Sequence, residues 1–405
     1  MYQSRNRLIS AFCFLFAVSI AALSPQLLAQ QKTDFLGSED AVDNRIASDQ
    51  REQALPMKQR LAKQHIQLAI DYSAAAVNAS NVLSDKDDFA ANGMLRFYGS
   101  WDMLNAGSAD AGGLVWKLEH RHSYTDTPVK GIEFNAGGLG IVSPVFSDEG
   151  ARLTNLYWRQ RFNDHNATLT VGYLDATDYA DVFALASPWT GFMNFAFSTG
   201  ATTMALPSDS AFGVAGGTML NQNVFVIGGI VDMESDPTDP LKSAENFFNK
   251  NHYFKSIELG YTSGKEKIFV NNLHLTAWHA DSSEQLNQDS DSGINLSASW
   301  MIGKWLPFVR AGFADKGSLL GIDRSVSAGV GYFGLGGANN NLGFGINLAN
   351  VVGNPDNQVT GELFYLFKPV PFFEITPDIQ FVQNPALNPD KSQIWLVGLR
   401  SRLIW

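Results

Sequence analysis

Apolar and polar residues alternate with a period of two along most of the chain. From His65 onward, Ile66, Leu68, Ile70 and Tyr72 alternate with Gln67, Ala69 and Asp71. The pattern returns in Leu114-Trp116-Leu118 against Lys117-Glu119-Arg121, and in Ile294-Leu296-Ala298-Trp300-Ile302 against Asn295-Ser297-Ser299. It continues through Val326–Tyr332, Leu342–Leu348 and Val359–Phe367, and closes with Trp395-Val397-Leu399 opposite Gly398-Arg400-Arg402. Successive side chains of a strand point to opposite faces, so this alternation predicts strands with one apolar and one polar face. Sixteen such segments lie near 64–73, 93–103, 112–123, 151–163, 166–175, 209–220, 222–233, 252–263, 266–279, 292–303, 305–315, 322–334, 339–349, 357–368, 371–382 and 392–405.

Past the N-terminus the longest apolar run, Val224 to Val231, has eight residues and two glycines. A membrane-spanning helix needs about 20 apolar residues, whereas a tilted barrel strand needs only about ten. A β-sandwich would also alternate, but here the polar face carries many Gly, Ser, Thr and Asn together with Arg and Glu, as a water-filled lumen would. Aromatic residues cluster near strand ends, at Phe97 and Trp101, Tyr157 and Trp158, Trp300 and Trp305, Phe372 and Phe373, and Trp395 and Trp405. Interfacial girdles of a membrane barrel have this pattern, and such barrels commonly finish on an aromatic residue. The fold expected is all-β: a transmembrane antiparallel β-barrel of about 16 strands over residues 64–405, with a short charged N-terminal arm.

The N-terminus adds a compartment. Arg5 and Arg7 precede a mostly apolar stretch from Leu8 to Leu23, and Leu27-Leu28-Ala29 ends it, so residues 1–29 read as a secretory signal peptide. The only cysteine, Cys13, lies within it, and bulky Phe12 before it argues against lipidation. Residues 30–63 include the charged stretch Ser38 to Lys63, interrupted at Pro56, and are expected to form a periplasmic extension or a plug of the pore.

Charge narrows the functions. With 29 Lys+Arg against 40 Asp+Glu, the net charge of −11 excludes a general nucleic-acid binder. No Gly-x-Ser-x-Gly, His-Glu-x-x-His or phosphate-loop motif occurs, and His274 and His279 fall on opposite faces. No catalytic, metal or cofactor site is expected. Arg96, Lys117, Glu119, Arg121, Arg159, Arg161, Arg400 and Arg402 all fall on polar faces, where a cation would avoid the roughly 2–4 kcal/mol that it costs at the lipid midplane. There they can serve a solute or pair with acids across neighbouring strands. One segment, Ala176 to Ser208, breaks the strand rhythm. Long insertions of this kind tend to be functional. With Asp175 before it, Asp178, Asp181 and Trp189 give it carboxylates for hydroxyls and a ring for stacking. The alternative is an external loop packed on itself.

Several blocks carry a family resemblance. Asp175-Ala176-Thr177-Asp178-Tyr179 and Ala186-Ser187-Pro188, then Asn354 to Tyr365, Ile375 to Pro385 and Val397 to Leu403, are similar to the carbohydrate-selective porins of the OprB type. Tyr173, Leu387 and Trp405 depart from the family's pattern. The resemblance implies a sixteen-stranded outer-membrane barrel that passes mono- or oligosaccharides passively into the periplasm, with saccharides and outer-membrane lipid as its partners. It leaves the sugar and the oligomeric state open. A less selective porin for small polar or anionic solutes is the alternative, and an outer-membrane enzyme or adhesin the distant one.

Overall fold

The computed structural model describes residues 40–42, 44–45, 56–317 and 320–405. The expected signal peptide lies outside them. A short helix, α1 (Pro56–Ala62), leads into sixteen strands. These are β1 (Ile66–Ala79), β2 (Phe89–Leu104), β3 (Gly112–Ser123), β4 (Gly150–Phe162), β5 (Ala167–Leu174), β6 (Ala211–Met219), β7 (Val224–Asp232) and β8 (Tyr253–Thr262). The second half comprises β9 (Asn271–Ala280), β10 (Asp291–Trp300), β11 (Trp305–Ala314), β12 (Ile322–Phe333), β13 (Asn341–Val351), β14 (Gln358–Val370), β15 (Phe373–Gln383) and β16 (Gln393–Ile404). Each strand pairs with its sequence neighbour, and β1 pairs antiparallel with β16 from Asp71↔Ile404 to Ala79↔Leu396, closing the barrel. Closure gives every ladder N–H and C=O a partner, the condition for strands to lie in lipid. No described helix is long and apolar enough to cross a membrane.

The outer wall is apolar, exposing Leu95, Phe97, Leu118, Val171, Ile257, Leu275, Ile294, Phe344 and Val397. The alternate positions point inward and are polar, among them Asp71, Arg96, Arg121, Glu258, His274, Arg310, Asn347 and Arg402, all buried. An inverted pattern of this kind, apolar outside and polar inside, is what lipid and a wet lumen jointly demand. β1 is longer than its alternation predicts because its second half inverts the rule. Inward Ala75, Val77 and Ala79 are buried against Val129, Ile132 and Phe146 of the loop over residues 124–149. With apolar residues on both faces, the period of two fades. β9 begins later than predicted because Ile268 and Phe269 are buried in the turn before it, where the Phe269 carbonyl accepts from the Ala184 amide.

The long segment between β5 and β6 runs inside the barrel. It touches β9 and β11 through Asp181, β12 through the Ala196 carbonyl, β14 through Met193 and Asn194, and β16 through Pro188 and Gly191. Only a chain within the lumen can reach all of these strands. Its Phe183, Leu185, Phe192 and Phe197 form a buried cluster with Leu306, Phe308 and Phe364 of the wall. The wall makes room with glycine: a Cβ on Gly345 would lie 2.7 Å from the Phe197 ring. The apolar core thus sits inside the barrel, between loop and wall.

Candidate functional site

β3 and this inward loop together frame a cavity of about 50 Å³ within the lumen. Lys117, Glu119 and Arg121 reach it from β3 because alternation puts all three on the inward face. Asp175, Asp178, Phe183, Ser187 and Trp189 reach it from the loop. A larger hollow of about 360 Å³ lies beside it, lined mainly by the apolar Leu95, Phe97, Leu118, Leu153, Pro237 and Pro240, with Glu119 and Arg152 also reaching it.

Local structure sets the loop residues. Asp175 caps a short 3-10 turn over Ala176–Asp178, accepting from the Thr177 amide at 3.0 Å and its hydroxyl at 2.6 Å. Burial raises its pKa, with Lys117 at 4.0 Å acting in the opposite direction. Across the cavity, Arg121 holds Glu119 at 2.8 Å through Nε and Asp209 at 2.6 Å. Asp209 also pairs with Arg152. Burial would raise the Asp209 pKa, but Arg121 and Arg152 outweigh it and the carboxyl is held well below the usual range.

The other expected site residues have different surroundings. Arg96 is bidentate to Asp71 at 2.8 and 2.6 Å, and its guanidinium lies 3.8 Å over the Trp189 ring. Arg402 shares Asp71 at 2.8 Å. Trp189 is therefore covered on one face by Arg96 and only 5% exposed. Asp181 is 1% exposed, and Arg310 at 2.5 Å, His274 at 2.8 Å and the Gly200 amide at 2.6 Å surround its carboxylate. Arg159 and Arg161 lie lower on the wall, both facing Asp102, at 2.5 and 3.7 Å.

Six of the ten expected residues thus share one cavity: Lys117, Glu119, Arg121, Asp175, Asp178 and Trp189. Arg96 backs it through Trp189, whereas Asp181, Arg159 and Arg161 stand elsewhere. Sequence reasoning missed Asp71, Arg152, Asp209 and Asp40. Alternation alone marks Asp71 as inward, but no local pattern marks Asp40 or Asp209, which come to the cavity region from segments outside the strands.

Donors and acceptors of opposite charge around a small wet space can hold hydroxyl groups from several directions at once. A family model described as carbohydrate-selective porin, OprB family, matches residues 86–299 and 274–403. Among solved structures, the high-pH form of Pseudomonas putida OprB is similar over 86% of this chain and 96% of its own, at 14% identity and a TM-score of 0.68. Its low-pH form gives 0.52 at 12% identity over 86% of this chain and 95% of its own. A mutant of the Rhodopseudomonas blastica porin gives 0.55 at 10% identity, over 84% of this chain and 100% of its own. No curated protein matches the chain in sequence. At such low identities the structures speak for the fold, and it is the family model, spanning nearly the whole barrel, that makes this chain a member of the carbohydrate-selective porin family and a channel for sugars.

Proposed function

We propose that the barrel sits in the bacterial outer membrane, its long loops outward and its termini toward the periplasm, and that saccharides cross it through the cavity beneath the inward loop. The observation that carries the site is the ring of Lys117 and Arg121 against Glu119, Asp175 and Asp178 around that space. Carboxylates accept from sugar hydroxyls and the cations donate to them, so one wall can meet a polyol in several orientations. Conduction requires binding strong enough to recruit the solute and weak enough to release it. Mixed charge supplies this, because each group is already partly compensated by a neighbour. Trp189 offers the passage less ring surface than an open stacking platform would, since Arg96 covers one face.

The test is single-channel recording with sugars as blockers, on protein taken from the outer-membrane fraction and running faster on gels unboiled than boiled. A hydrogen bond to a charged group contributes about 1.5–3 kcal/mol. Asp178→Asn and Lys117→Gln should each raise the half-blocking sugar concentration roughly tenfold or more, with the open-channel conductance equal or higher. Wild-type block in both variants would move the site away from this cavity.

A further inference from the structure

The cavity has one wall that comes from neither the strands nor the long loop. Asp40 lines it, and the Ser187 hydroxyl donates to Asp40 at 2.8 Å. Arg45 pairs with Asp40 and reaches Ser187 and Thr190, each at 3.4 Å, both on the inward loop. Between them Val42 is fully buried, packed with Ala69, Tyr98 and Val115. Those three are inward positions of β1, β2 and β3 near the end of the barrel where the chain termini meet. Ala41 and Asn44 are buried as well. Residues 40–42 and 44–45 therefore stand on the lumen wall beside the inward loop, touching the loop through Arg45 and Asp40 and the wall through Val42.

We propose that this N-terminal segment is a built-in part of the constriction: Val42 seats it on the wall, Arg45 fastens it to the loop, and Asp40 adds a carboxylate to the sugar path. The segment is set into the lumen rather than laid on it: Arg45, paired with Asp40, is 3% exposed, and Ala41 and Val42 are buried beside it. Asp40 lines the same cavity as Lys117 and Arg121, so the segment adds an acid to the groups a solute would meet there and narrows the path.

The inference rests on the sugar path running through this cavity, but ion current alone tests the segment. Deleting residues 30–45 while keeping α1 and the barrel should raise single-channel conductance in potassium chloride by about twofold or more, since conductance follows the narrowest section. In the same protein, sugar block reads the Asp40 contribution and should weaken. A second variant does not depend on the deletion inserting into membranes. Val42→Cys with Val115→Cys, made with Cys13 as the only other cysteine, should form a disulfide in the folded barrel under mild oxidation. Conductance should then stay at its wild-type value when oxidised. Unchanged conductance on deletion, or a cysteine pair that stays reduced in folded protein, would overturn the proposal. If deletion raised the current while Asp178→Asn left sugar block unaltered, the segment would stand and the sugar-site assignment would fall.

Discussion

The inward loop carries three aspartates within seven residues, and two of them live in a different world from the third. Asp175 and Asp178 edge the cavity beside Lys117 and Arg121. Asp181, three residues farther on, has no such opening: Arg310, His274 and the Gly200 amide close around its carboxylate, while its own amide donates to Glu258 at 2.8 Å. Burial would raise the Asp181 pKa, yet Arg310 and His274 outweigh it and hold the group ionised. The same residue type therefore does two jobs. Where protein donors engage both oxygens, the carboxylate fixes the loop to the wall; where a cavity adjoins it, it can accept from a solute.

The largest expected effect follows from that contrast. Asp181→Ala takes from Arg310 its buried carboxylate and leaves Glu258, 3.6 Å from His274, as the remaining acid beside the two bases, and breaking a buried pair by removing one partner costs about 3–5 kcal/mol. The barrel, closed by its ladders, should stay folded while the loop loosens. Limited proteolysis within 176–208 should speed up strongly, with noisier and larger single-channel currents. Asp178→Ala, on the cavity side, should leave proteolysis near wild type. Equal protease sensitivity in the two variants would erase the distinction between anchor and solute contact.

How much of this was legible in the sequence depends on which solvent each residue meets. Strand number and topology were readable because lipid outside and water inside impose opposite demands on alternate residues, as at Leu118 against Glu119. The pattern failed where a loop rather than water covers the inner face, as at Ala75, Val77 and Ala79. The β3 trio was legible for the same reason as the strands: alternation placed Lys117, Glu119 and Arg121 inward. Within the loop, composition flagged the aspartates but could not separate Asp181 from Asp178. That difference lies in Arg310 and His274, which are about a hundred residues away in the chain and meet it only through closure of the barrel.

A second, smaller effect concerns how the two long loops hold each other. Helix α2 (Ile132–Ala136) carries Glu133, fully buried, which accepts from Asn194 Nδ2 of the inward loop at 2.7 Å and faces Gln358 Nε2 at 3.4 Å. Burial lifts its pKa from the ordinary 4.5 to about 7, against the lowering pull of those two amides. The folded value lies above the unfolded one, so the native state keeps the proton between about 4.5 and about 7. Stability then falls as pH rises through that window, by about 3 kcal/mol at most, and levels off above it. Protease sensitivity of the two loops should rise from pH 5 to pH 8. Glu133→Gln, permanently neutral, should flatten that dependence, and a wild type already flat across the window would remove Glu133 as its source.

The smallest effect tests the wall outside the cavity. Arg159 and Arg161 face Asp102 and stand apart from the charged ring beneath the loop. Replacing both with Ala leaves Asp102 unbalanced in the lumen, so the reversal potential in a salt gradient should shift toward cation preference. The shift should be modest and should shrink with salt, because the Debye length is about 10 Å at 0.1 M and shorter above it. Sugar block should not move, since neither arginine lines the cavity. That pairing of outcomes is what sharpens the comparison between regions. A charge that only sets the potential along the path changes ion selectivity alone, whereas a charge that also touches the solute, as proposed for Lys117 and Asp178, changes both. An unchanged reversal potential would put Arg159 and Arg161 off the conduction path, and their pairing with Asp102 would then serve only the wall.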